Sequence, residues 1–146
     1  MLKKTNPMTI ELLRTLFDFG LVILIWLVQL VIYPSFKFFK PADLYRFHKS
    51  YTLRIAVIVM PLMVGQLLFY TYFLFKEQSV FNVLGFLIVI LLWASTFFQF
   101  VPLHGEISNN TFTKITLNQL VHRNWLRTFF WTLLFTASLS NYLLNY

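Results

Sequence analysis

The chain has no cysteine, and it carries only four glycines and five acidic residues. The first absence excludes disulfides and thiolate metal sites, so any metal centre would rest on imidazole and carboxylate ligands. The sequence also lacks a Gly-rich phosphate loop, a nucleophile elbow and a His-Glu-x-x-His pair, which removes the common nucleotide, hydrolase and metalloprotease patterns. Charge of any sign is scarce: 12% of the 146 residues are charged, against roughly a quarter in soluble domains. Apolar residues fill the difference, at 58% of the chain with 18 Phe among them, and the mean hydropathy is +0.69.

Four apolar runs reach bilayer length, at roughly 12–33, 53–75, 80–103 and 125–144. About 20 residues at about 1.5 Å each cross a hydrocarbon core of about 30 Å. The runs leave no room for a separate soluble domain. Residues 1–146 therefore read as a single transmembrane domain, an all-α integral membrane four-helix transmembrane bundle. Lys3 and Lys4 ahead of the first run resemble a secretion signal. The run is too long for one and no small-x-small cleavage site follows, so it reads as a retained span.

The connections are unequal. Residues 76–79 link the second and third runs tightly, whereas 35–52 and 104–124 are long and polar. Pro41 and Asp43 form a helix start that continues into the second run, and Asn109, Asn110, Thr111 and Thr113 offer caps for a helix entering the fourth. Both long connections share one face, opposite the N-terminus. That far face holds Lys37, Lys40, Arg46, Lys49, Arg54, Lys114, Arg123 and Arg127, against Lys3, Lys4, Arg14 and Lys76 on the near face. The excess favours a cytoplasmic far face by the positive-inside rule. The net charge of +7 points to anionic lipid headgroups as partners and not to nucleic acid, because no basic tail or domain exists to bind it.

All three histidines fall on the far face. His48 precedes the second run, His104 ends the third and His122 precedes the fourth. Glu106 follows His104 by two residues, Asn124 and Arg127 head the fourth run, and Tyr45, His48 and Thr52 share a helix face near Arg54. Gln29 and Gln99 aim polarity at the same end. Three readings stay open. His48, His104, His122 and Glu106 could ligate a transition metal (Cu, Fe or Zn) or serve haem, with Glu106, Arg127, Asn124 and Arg54 as catalytic or supporting groups. The same residues could form a metal-free acid–base pocket. They could also be interfacial side chains facing lipid headgroups. A shared metal requires imidazole nitrogens about 2.0–2.2 Å from a common point, with His104 and His122 the safer pair and His48 the member most exposed to dropping out. Elsewhere, Asp18 lies four residues after Arg14 and is expected to pair with it, a proton-carrying role being the alternative, and Gln66 is expected to bond across helices and not to line a pathway. Trp125 and the tyrosines at 33, 45, 51 and 146 fit interfacial belts.

Three phrases carry a resemblance: Phe47 and His48 with Tyr51 and Arg54; the row Gln99, Phe100, Val101, Pro102, Leu103, His104; and Asn124, Trp125, Leu126, Arg127, Thr128 followed by Trp131. They resemble a group of small four-span bacterial membrane proteins, and the architecture is similar to the anthrone-oxygenase family. The resemblance implies a multi-pass protein of the bacterial inner membrane and an oxidative or acid–base activity on a lipophilic small molecule. It carries over no functional residue. The expectation is thus a membrane enzyme with a far-face site, acting alone, as a homo-oligomer or within a larger membrane complex. The rival is a non-enzymatic accessory subunit or a lipid- or ion-handling protein.

Overall fold

The computed structural model describes residues 7–145; Lys3, Lys4 and Tyr146, assigned above to membrane faces, lie outside the described residues. Among these residues the chain is all-α, with no strand. Helix α1 (Pro7–Leu27) runs through a π-helical turn (Val28–Ile32) into α2 (Tyr33–Ser35) and a 3-10 turn (Phe36–Phe38). Helix α3 spans Pro41–Lys76. Helix α4 (Val80–Ser95) passes through a second π-helical turn (Thr96–Phe100) into α5 (Val101–Ser108), and α6 is Lys114–Asn145. The molecule therefore consists of four rods, two of them interrupted.

Each interruption lies just before a proline, although Pro61 inside α3 leaves that helix continuous. Pro34 and Pro102 have no N–H to give, and a proline ring clashes with the carbonyl four residues back. Those carbonyls belong to Leu30 and Phe98, each inside a π-helical turn. The widened turns re-route bonding, so that the Tyr33 N–H reaches the Val28 carbonyl and the Val101 N–H reaches that of Thr96. The rods stay continuous but their far-face ends are rotated.

The starts follow from local chemistry. Pro41 occupies the first turn of α3 after an extended Lys40, with Asp43 near the positive end of the helix dipole. The Ser79 hydroxyl caps α4 by accepting from the Asn82 N–H at 3.2 Å. Thr113 caps α6, accepting from Ile115 and Thr116 N–H at 3.2 and 3.4 Å. Asn110, at φ 57°, supplies the left-handed residue that turns the chain out of α5.

Three stretches are long and apolar enough to cross a membrane: Met8–Phe38, Pro41–Lys76 and Val80–Ser108. Helix α6 is not among them. Its polar residues Asn124, Arg127, Thr128 and Ser138 are buried, whereas Trp125, Leu126, Phe129 and Leu133 face outward. The outer surface of the other rods is equally apolar, with Leu30, Val57, Leu68, Leu91 and Phe98 exposed.

Two glycines permit close helix contact. A Cβ on Gly65 would fall 2.0 Å from the Phe17 ring, and one on Gly85 2.4 Å from the Tyr70 ring. Small residues at such crossings let transmembrane helices approach. Gly105, in contrast, has nothing within 4 Å of its would-be Cβ. Gly65→Ala and Gly85→Ala should each cost about 1–3 kcal/mol through overpacking. Gly105→Ala should be neutral or stabilising by up to about 1 kcal/mol, as alanine outranks glycine in helices. Thermal unfolding in detergent measures all three, and equal midpoints would contradict this packing.

Candidate functional site

At the far end of the bundle α2, α3 and α5 each place one ring in a connected chain. The Tyr33 hydroxyl lies 2.9 Å from His104 Nε2, and His104 Nδ1 lies 2.8 Å from His48 Nε2. Beyond it, His48 Nδ1 meets Thr52 Oγ1 at 3.3 Å and Ser108 Oγ at 3.2 Å. The π-helical turns bear directly on this arrangement: one ends immediately before Tyr33 and the other four residues before His104. Such turns often occur at functional sites, because they re-aim the residues that follow. Phe36 and Tyr51 pack edge-on to one another around His48, and Tyr33 stacks on Phe100.

Thr52 donates its hydroxyl proton to the backbone carbonyl of His48, and the polarity that also uses the Thr52–His48 contact has the Thr52 oxygen accepting from His48 Nδ1. His48 then carries hydrogen on Nδ1 and accepts at Nε2. His104 must donate from Nδ1 and accept at Nε2, where Tyr33 donates. In this arrangement the Tyr33 hydroxyl donates to His104 and turns its oxygen lone pairs toward the Arg127 guanidinium and the cavity.

Beside the chain lies a cavity of about 410 Å³, within the range of small-molecule sites. Its walls are mostly apolar, including Leu21, Ile25, Val59 and Trp131, and its polar edge is formed by Tyr33, Thr52, His104, Ser108 and Arg127. Met60 and Val101 border it and are also exposed on the outer surface, 43% and 53%. The cavity therefore opens sideways.

Arg127 is only 7% exposed. Its guanidinium carbon sits 4.1 Å from the Phe100 ring centre and 4.9 Å from that of Trp131. Each such contact supplies about 0.5–2 kcal/mol, against a desolvation cost of several kcal/mol for a buried ion. One nitrogen donates to Asn124 at 3.5 Å. Asn124, fully buried, donates in turn to Gln29 at 2.9 Å, and Gln29 donates to the Val121 carbonyl.

A second polar group lies deeper. The Asp18 carboxylate accepts from Gln66 at 2.6 Å and from Tyr70 at 2.9 Å, and Trp131 donates to Gln66 at 3.2 Å. Gln66 thus bonds across helices in both directions. The expected Arg14–Asp18 pair is replaced by a different arrangement: Arg14 donates to Asn82 at 3.2 Å and lies against the Phe73 and Phe81 rings at 4.3 and 4.8 Å.

The expected metal set does not assemble. Among the described residues no group of three His, Cys, Asp or Glu could hold a metal ion. His122 is exposed on the outer side of α6, and Glu106 is exposed with its carboxylate accepting from Thr116. His48 is the member that stays: helix α3 starts far enough before the membrane run to bury it against His104. Arg54 is exposed on a neighbouring groove with Phe47 and Tyr51 and does not line the cavity. Asn124 and Arg127 face the interior and not headgroups. Tyr33, assigned above to an interfacial belt, is 4% exposed and belongs to the site. Its position just before Pro34, level with His104 at the same face, was the available signal. Trp131, one of the deeper tryptophans that could wall an apolar pocket beneath the polar cluster, lines the cavity, and so does Tyr51, which the sequence placed in an interfacial belt.

No family model matches the chain, and no curated protein or solved structure does.

If the rings form one coupled chain, Tyr33→Phe should perturb His48 although the two residues do not touch. Nitrogen-15 NMR of the imidazoles should show both His104 and His48 changing tautomer balance while His122 stays constant. A change confined to His104 would contradict the coupling.

Proposed function

We propose that this chain is a membrane enzyme that moves protons to and from a lipophilic small molecule held in the side-opening cavity. The observation that carries the reading is the unbroken hydrogen-bonded series from Tyr33, at the cavity, to Ser108, an exposed residue at the cavity edge. The Tyr33 oxygen accepts a proton from an acidic C–H or O–H of the substrate as its own proton passes to His104 Nε2. His104 Nδ1 passes one to His48 Nε2, and His48 Nδ1 releases one toward Ser108 and water. Reversing every bond returns a proton to the product. Each ring is neutral before and after, so the one buried charge the step creates is that of the deprotonated substrate. The converging donors are two imidazoles already bonded to one another, which favours acid–base chemistry over metal ligation.

The membrane setting supports this reading. We take α6 as a fourth span whose buried polar face lowers its hydropathy while its outer face stays apolar, giving a four-span bundle in a bacterial inner membrane with the histidine-bearing face cytoplasmic. Lipid is then the surrounding solvent, and the exposed Met60 and Val101 mark where a lipophile passes between bilayer and cavity.

Two experiments test the two halves. Because the chain has no native cysteine, Lys114→Cys and Asn145→Cys report cleanly on the ends of α6. They should react with an impermeant maleimide from opposite sides of sealed vesicles, and labelling from one side would remove the fourth span. For chemistry, deuterium uptake from D2O into enolisable apolar ketones, anthrone first, should be accelerated by the purified protein. Tyr33→Phe and His104→Gln should each reduce that rate by about 10²–10⁴-fold, the usual contribution of a positioned acid–base group. Rates equal to those of empty membranes for the whole ketone set would refute the enzyme.

A further inference from the structure

The residues lining the cavity include one permanent cation, Arg127, and no Asp or Glu. The guanidinium is buried, and its Nε has no hydrogen-bond partner. Its neighbours are neutral: Asn124 accepts one long bond at 3.5 Å, the Phe100 and Trp131 ring centres lie 4.1 and 4.9 Å from the guanidinium carbon, and the Tyr33 hydroxyl, bonded to His104, also interacts with it. The buried carboxylate of α1, Asp18, is bonded to Gln66 and Tyr70 and has Arg14, not Arg127, as its basic neighbour. A fixed positive charge at the edge of an apolar chamber thus lacks its counter-ion.

We propose that the counter-ion is the ligand, and that the cavity takes a lipophilic monoanion: an apolar body carrying one carboxylate, phenolate or enolate oxygen set against Arg127. The charge balance favours a single negative charge, since no Lys lines the cavity and one guanidinium neutralises one anion. Phosphate and sulfate dianions would leave a net charge buried among Leu21, Ile25 and Val59. The Phe100 and Trp131 rings and Asn124 hold the guanidinium in place, and a planar fork so held is suited to an anionic oxygen. The inference rests on the proposed enzyme for its site and narrows the substrate class. It also gives Arg127 a role that the proton chain does not use: it binds the charged oxygen, or stabilises the one that forms when Tyr33 removes a proton.

The test compares two probes with the same polycyclic body, anthracene-9-carboxylate and 9-anthracenemethanol. Binding to the full-length protein in nanodiscs is followed by probe fluorescence and corrected for partition into empty nanodiscs. The carboxylate should bind at least tenfold more tightly than the alcohol. Arg127→Gln should abolish that preference while leaving alcohol binding unchanged, and Arg127→Lys, which keeps the charge, should retain part of it. His104→Gln should retain the full preference while losing deuterium exchange, which separates binding of the anion from proton transfer. Equal affinities in the unsubstituted protein would overturn the inference and leave the proposed enzyme standing, and so does not depend on any variant folding. A preference that survives Arg127→Gln would overturn the assignment to Arg127. Failure of both probes to bind would overturn the inference and the cavity-based enzyme together.

Discussion

A polar group buried between helices has no water to return to, and the bonds that several such groups make to other helices set how the four rods sit against one another. Asp18 ties α1 to α3 through Gln66 and Tyr70, and Gln66 ties α3 to α6 through Trp131. Arg14 ties α1 to α4 through Asn82, and Gln29 ties the first π-helical turn to α6 through Asn124. Apolar packing alone tolerates sliding, whereas a directional bond in a low-dielectric interior does not, and one left unmade is costly. Trp131 is the common member. Its N–H holds Gln66 while its ring lies beside Arg127, so the deep polar group and the cavity share a wall.

The far-face site depends on this frame and on two prolines. Helices held in register place Tyr33, His48 and His104 at the same height, and the π-helical turns before Pro34 and Pro102 rotate the first and last of these toward one another. An undisturbed α-helical path through either turn would rotate the ring that follows it by a large fraction of a turn relative to its own rod. Position then decides chemistry. The rings meet end to end along the polar edge of the cavity, from Tyr33 to Ser108.

The all-helical class and the approximate positions of the rods were legible because apolar runs, Pro41, Asp43 and Thr113 act locally. The convergence of polarity at one end was legible too, since His48, His104, Asn124 and Gln29 can be placed on a face by counting spans. Facing direction was not. Nothing local tells that His122 turns outward while Asn124, two residues on, turns inward, because that depends on which side of α6 meets α1. Tyr33 was misplaced for the same reason. A tyrosine at the end of a span satisfies a lipid interface and an interior hydrogen bond equally well until its neighbours are known. Arg14 and Asp18 are four residues apart on one helix, and spacing favoured an ion pair. The interior instead offered Asp18 two donors from α3 and offered Arg14 an aromatic cage, neither visible along the chain.

The central claim is that one cavity, bordered by Tyr33 and Arg127, holds the substrate. The most direct measurement is an experimental structure of the protein in lipid with anthracene-9-carboxylate bound. The account predicts the rings among Leu21, Ile25 and Val59, with a carboxylate oxygen within hydrogen-bonding distance of Arg127 and the Tyr33–His104–His48 series intact. A ligand seated on the outer surface with the cavity closed by side chains, or bound inside with its carboxylate turned away from Arg127 and Tyr33, would contradict it.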